Sequence, residues 1–182
     1  MTINRRTFLA YSSASLAAMP LHTVRAGTMP GYTVVVDEGV PESMLFADGF
    51  SRCRKVFSDL AAPRKVHDTI TSALSINSLV FGCTQESTTF VLAELLRGSA
   101  LSLQVLGRHR QHNARTLDHQ IRSLSDVRWA SVLAREDWPR RMGEIFGDIP
   151  ATGITQFETI RANTPKLLGS PGYVSSWQIV GG

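Results

Sequence analysis

The chain has only two cysteines, Cys53 and Cys83, in 182 residues, so at most one disulfide can form. No run of apolar residues approaches the roughly 20 needed to span a bilayer, which excludes a helical membrane span in the mature chain. Acidic residues are missing altogether before Gly27, where Arg5, Arg6 and Arg25 lie. The formal charge of +4 therefore belongs largely to the N-terminus: without those three, 16 basic residues face 15 acidic ones. A near-neutral remainder takes away most of the support for general polyanion binding, and no nucleic-acid partner is expected. There is no Gly-rich phosphate-binding pattern and no Gly-x-Ser-x-Gly turn. Internal repeats, low-complexity tracts and an interdomain linker are also missing. What remains is one domain's worth of ordinary globular composition, 43% hydrophobic and 19% charged.

The first 26 residues read as an export leader. Asn4-Arg5-Arg6-Thr7-Phe8-Leu9 is followed by a modest apolar stretch to Met19, ended by Pro20. Val24-Arg25-Ala26 offers small residues at the positions a signal peptidase reads, placing the cut after Ala26. The leader resembles a twin-arginine signal, with Asn4 at a position usually Ser or Thr and Ala10 at one often Lys. That resemblance implies export of a folded protein by the twin-arginine translocase, a periplasmic location, and a raised expectation of a cofactor or partner that it does not name. The expected division is a signal peptide over 1–26 and a single domain over 27–182.

The mature chain alternates strand and helix signals. Tyr32 to Val36 is a β-branched run ending in Asp37-Glu38-Gly39. Pro41 suits a first helical residue, and Phe46, Phe50 and Cys53 share a helical spacing. Lys55-Val56-Phe57 predicts a second strand, and Pro63 opens a helix with Val66, Ile70, Ala73 and Leu74 as its buried stripe. Leu79-Val80-Phe81 predicts a third strand and Gly82-Cys83-Thr84 a turn, with Thr84 capping a helix from Gln85 to Arg97. Leu101 to Leu106 is a fourth strand. Beyond it, a hairpin turning near Asn113-Ala114 returns along Thr116 to Leu124. Two helical stretches follow, one with Trp129, Val132 and Leu133 after an Asp126 cap, the other starting at Trp138-Pro139. Residues 147–172 lack periodicity, and Tyr173 to Val180 closes the chain as a strand at an edge or beside the hairpin. The expected fold class is α/β: a single three-layer domain with a mostly parallel sheet, β-α-β-α-β-α-β, plus a C-terminal antiparallel hairpin and strand extension.

Val36-Asp37, Asp59-Leu60, Gly82-Cys83-Thr84, His109 and Ser176-Trp177 together resemble a group of twin-arginine-exported bacterial proteins of similar size with no established activity. The resemblance brings no mechanism with it.

Three places invite chemistry. In an open α/β sheet ligands bind beyond the strand carboxyl ends where the strand order reverses, which gathers Asp37, Glu38, Gly82, Thr84 and Gln85. Helix-start amides there suit a small anionic ligand. Cys83 at a helix start is a candidate nucleophile with Asp37 as its carboxylate partner, giving a hydrolase or transferase reading; buried free thiols or a Cys53–Cys83 disulfide are the alternatives. His109, His112 and His119 are candidate ligands for zinc or copper, with His109 and His119 pairing across the hairpin and His112 near its tip; solvated histidines, and no metal, are expected there. Arg108, Arg110 and Arg115 on the same hairpin fit an acidic periplasmic partner surface or an anionic ligand. The residues of the mature chain specify no cofactor. A small-ligand-binding or accessory protein is the reading these features favour.

Overall fold

The computed structural model describes residues 31–58, 62–75, 79–113, 116–123, 129–148, 156–163 and 173–181. The leader with Arg5, Arg6 and Ala26 lies outside them, as do Asp59-Leu60, Arg115 and Asp126. Seven strands form one sheet: β1 (Tyr32–Val36), β2 (Cys53–Phe57), β3 (Leu79–Gln85), β4 (Leu101–Asn113), β5 (Thr116–Ser123), β6 (Gln156–Asn163) and β7 (Tyr173–Gly181). Five helices accompany it: α1 (Pro41–Asp48), α2 (Pro63–Ser75), α3 (Glu86–Leu96), α4 (Trp129–Leu133) and α5 (Trp138–Asp148). The strand order is β2-β1-β3-β7-β4-β5-β6.

The class is mixed α/β, and the sheet is mixed rather than mostly parallel. Only β2, β1 and β3 pair in parallel. The final strand, expected at an edge or beside the hairpin, inserts antiparallel between β3 and β4, separating two strands that the alternation alone makes neighbours. Its central place explains its burial: every residue from Val174 to Ile179 is buried, Ser175, Ser176 and Gln178 included. Polar residues in a central strand need partners. Gln178 Nε2 donates to Gln104 Oε1 at 2.7 Å, and Trp177 Nε1 donates to Thr84 Oγ1 at 3.0 Å.

Side chains alternate across the sheet and divide the core in two. Val35, Val80, Trp177 and Ile179 meet Val66 and Ile70 of α2 and Leu92 of α3 on one face. Val34, Val36, Phe81 and Val174 meet Phe46 of α1, Leu133 of α4, and Trp138 and Met142 of α5 on the other.

Local corrections follow from packing. α1 ends at Asp48, so Cys53 belongs to β2 and not to the helical face of Phe46. Gly82 is a strand residue, not a turn: a Cβ there would lie 2.2 Å from the Trp177 indole, so the ring occupies the space a side chain would need. Thr84 continues the same strand and caps nothing; its hydroxyl meets Thr89 Oγ1 at 2.9 Å. β6 arises where no element was expected, pairing along β5 from Thr116↔Asn163 to Ser123↔Gln156.

Candidate functional site

At the carboxyl edge of β1 and β3 the expected neighbours do meet, Val36 beside Cys83. Asp37 leaves β1 and turns its carboxylate to the start of α3. Its Oδ2 accepts from Thr88 Oγ1 at 3.0 Å and from the Gln85 amide at 3.5 Å, while Oδ1 accepts from the Gly39 amide at 3.2 Å. Asp37 thus places a carboxylate at the start of α3, where the helix dipole favours one, through the Gln85 amide and the Thr88 hydroxyl; Thr84, to which the sequence assigns the cap, makes none. The helix start is therefore already occupied by a carboxylate of the chain itself. Glu42, in the first turn of α1, is buried close enough to bear on Cys83 electrostatically, which makes this edge acidic. Glu38 is exposed.

Cys83 has no exposure to solvent. Burial first, then the Glu42 and Asp37 charges, push its thiol pKa far above the ordinary value. A reactive cysteine needs the opposite, a stabilised thiolate within reach of substrate. Cys53 is also a free thiol, donating to the Ala47 carbonyl at 3.3 Å.

The hairpin holds the more unusual arrangement. β4 and β5 pair from Gly107↔Ile121 to Asn113↔Thr116, with His109 directly opposite His119. The cross-strand pairing is as expected, and the solvation is not: both imidazoles are completely buried. The cause is a bulge between Val105 and Gly107. Before it, Leu101 and Leu103 face the α2–α3 side; after it, odd-numbered residues of β4 point to the α5 side. One extra residue turns His109 into the core.

There the two Nδ1 atoms lie 2.8 Å apart, and His109 Nε2 lies 3.3 Å from Ser176 Oγ. Trp138 covers both rings, with centroid separations of 4.5 Å to His109 and 5.0 Å to His119. Gly107 makes room, since a Cβ there would stand 2.8 Å from Ser176 Oγ and 3.1 Å from His109 Cε1. His119 Nε2 is buried with no hydrogen-bond partner. Burial drives His109 well below the ordinary imidazole range, helped by His119; burial also pulls His119 down to about 4, against an opposing pull from Asp118. Both rings are neutral near pH 7.

Ser176, His109 and His119 repeat the order nucleophile, base, orienting group of a hydrolytic triad. All three are sealed beneath Trp138, and Ser176 lies in a strand hydrogen-bonded on both sides, so no substrate carbonyl reaches it. His112 does not join its partners. It lies on the opposite face, with Nδ1 3.1 Å from Asp118 Oδ2. Among the described residues no group of three His, Cys, Asp or Glu side chains comes together for a metal.

That opposite face of β4, β5 and β6 is the second distinctive surface. One cross-strand row runs Tyr173, Arg110, Asp118, Arg161; the next runs Ser175, Arg108, Gln120, Thr159; Arg122 follows beside Phe157. Arg110 and Arg161 therefore flank the Asp118 carboxylate directly, with Arg108 one row away and Arg122 two. Arg161 grips Asp118 through Nε at 2.7 Å and Nη2 at 3.4 Å, and this bond holds the Asp118 carboxyl below its ordinary range. Arg110 donates to Tyr173 Oη at 3.0 Å and lies over the Tyr173 ring at 5.3 Å. Arg110, Gln120, Thr159 and Arg161 are exposed. Sequence reasoning located Arg108 and Arg110 but missed Arg122 and Arg161. The signal available was alternation: Asp118-x-Gln120-x-Arg122 and Thr159-x-Arg161 are polar at every second position.

Among the described residues no helix is long and apolar enough to cross a membrane. Comparison with protein-family models, curated proteins and solved structures finds no match to this chain.

Proposed function

We propose that this chain is an exported accessory or binding protein, periplasmic after its leader is removed, that docks an acidic protein surface on the outer face of β4, β5 and β6. The observation that carries the reading is the exposed pair Arg110 and Arg161 flanking Asp118 on one face, with the half-buried Arg108 and Arg122 in the neighbouring rows and Asp118 the one carboxylate of these rows among the described residues. Neighbouring strands stand about 4.8 Å apart, so three strands present these guanidiniums across a broad, flat patch. A flat patch suits a protein surface better than a small ligand, which favours a concave site. Arginine's planar fork matches carboxylates in two-point hydrogen bonds.

The small-anion reading of the β1–β3 edge loses support because Asp37 already occupies the α3 start. The thiol-enzyme reading loses support from the sealed Cys83.

The test is binding of a fluorescent glutamate-rich peptide to the mature protein at low salt. Binding is expected to weaken with added salt and to fall at least about tenfold in Arg110→Glu/Arg161→Glu, the loss of two close charge contacts. Equal binding by the variant overturns the reading, and tighter binding of an oligonucleotide of matched charge replaces the protein partner with a nucleic acid.

A further inference from the structure

We propose that His109 and His119 form a proton-operated latch that holds α5 against the sheet while the pair shares its Nδ1 hydrogen bond and releases it when both rings are protonated. The proposal rests on the geometry of four nitrogens. A neutral imidazole carries one N–H and one bare nitrogen. At 2.8 Å, one Nδ1 must donate and the other accept. If His109 donates, its Nε2 accepts from the Ser176 hydroxyl, and His119 carries a proton on its unpartnered Nε2. If His119 donates, His109 Nε2–H donates to Ser176, and the bare nitrogen is His119 Nε2.

Adding protons separates two outcomes. The first can go to an outer nitrogen, either His109 Nε2, where the Ser176 hydroxyl rotates to accept, or His119 Nε2. The Nδ1–H···Nδ1 bond survives and becomes charge-assisted, and one imidazolium against the Trp138 ring is tolerable. The second proton has a single vacancy in either case, the Nδ1 lone pair that holds the rings together. Two N–H groups then face one another at a distance that only a donor and an acceptor can share. The pair must part, and Trp138, packed on both rings, is the first residue of α5.

Among the described residues little else near the pair can absorb that charge. From β7 the facing side chains are Val174 and Ser176, and from β6 Ile160 and Ala162. Across the sheet face, β3 brings the protonated Cys83, with Glu42 of α1 beyond it. On α5, Arg141 pairs with Asp137 and Glu144, and Arg140 pairs with Glu144, on the helix's solvent side. Asp118 favours the protonated form of His119 but stands on the other sheet face, engaged by Arg161. The same two strands carry latch and arginines on alternate residues: His109 lies between Arg108 and Arg110, and His119 between Asp118 and Gln120. Parting the rings removes the cross-strand side-chain contact directly behind the basic rows and so loosens their alignment. This regulatory consequence rests on the proposed function; the latch itself does not.

An acid titration of the mature protein tests it, following tryptophan fluorescence together with the ring-nitrogen resonances of the histidines. At neutral pH one shared Nδ1 proton is expected. On acidification the first proton should enter with the rings still joined, and the second in a separate, more acidic step that parts them, since coupled sites titrate in two macroscopic steps. The tryptophan signal should change in that same step, and the step should be lost in His119→Phe. A tryptophan change that accompanies the first proton, an unmoved tryptophan signal, or the same step in His119→Phe overturns the latch. Should His119→Phe fail to fold, the nitrogen resonances of the unaltered protein decide alone. Dextran sulfate, whose charge does not titrate in this range, serves as the surface probe. The unaltered protein should release it through the acid step and His119→Phe should keep it. Failure to bind it at neutral pH removes the docking face and leaves the titration result standing.

Discussion

In the unfolded chain His119 takes up a proton near pH 6.5, whereas in the fold burial delays this to about 4. Between those values the unfolded state holds more protons, so stability falls as pH falls through the window and is fully present above it. The shift amounts to about 3 kcal/mol at the acid end, and His109 shifts in the same direction. Urea denaturation at several pH values should therefore show a midpoint that is level above pH 6.5 and declines below it. A midpoint constant from neutral pH down to about 4 contradicts neutral burial of the pair. Gly82 makes a different single-residue demand. A Cβ would enter the Trp177 indole, itself pinned by its bond to Thr84 and completely buried. Gly82→Ala should cost about 3 kcal/mol by overpacking, read as a lower urea midpoint. A variant with Trp177→Phe added should recover part of that loss if the indole is the obstacle.

At the scale of elements, Asp37 joins β1 to α3. Its carboxylate takes the Thr88 hydroxyl and the Gln85 amide, so the last residue of one unit closes the start of another. Asp37→Ala should destabilise by about 1–2 kcal/mol, the ordinary cost of a lost cap. Thr88→Val should remove part of the same interaction, so the double variant should lose less than the two singles combined. Additive losses separate the two residues. The bulge at Leu106 acts at the same scale, because re-phasing β4 decides which face receives His109 and which receives Arg108 and Arg110. The expectation of solvated histidines comes from the polar, basic character of residues 108–115, which says nothing of the bulge or of Trp138. β6 escaped notice for a related reason: only Ile160 and Ala162 of its inner row pack on the core, too few to stand out as a run.

For the whole molecule, the prediction is that export depends on the arginine pair. Replacing both Arg5 and Arg6 with Lys should leave the precursor in the cytoplasm with residues 1–26 attached, as shown by fractionation and N-terminal sequencing. Normal processing of that variant overturns the twin-arginine reading. The docking face also belongs to the whole molecule, because its rows draw on four strands distant in sequence, with Tyr173 beside Arg110 and Arg161 beside Asp118.

Local patterns suffice for the early units. The β-branched run before Asp37, Pro41 and Pro63 at helix starts, and the Val66, Ile70, Ala73 stripe each state their element within a few residues, and the β1–β3 neighbourhood matches the strand order expected where a doubly wound sheet reverses. The hairpin register is equally local, since one turn sets which residues oppose. Tertiary structure alone decided that β7 enters the middle of the sheet, because nothing in Tyr173–Gly181 specifies partners some seventy residues away in β4 and further still in β3. That insertion brings Ser176 to His109 and Trp177 to Gly82, turning a glycine that reads as a turn and a histidine that reads as solvated into parts of one buried network. The reason is physical: a side chain's period along its own strand tells which residues share a face, but which polar groups can be buried depends on the partners that other strands bring.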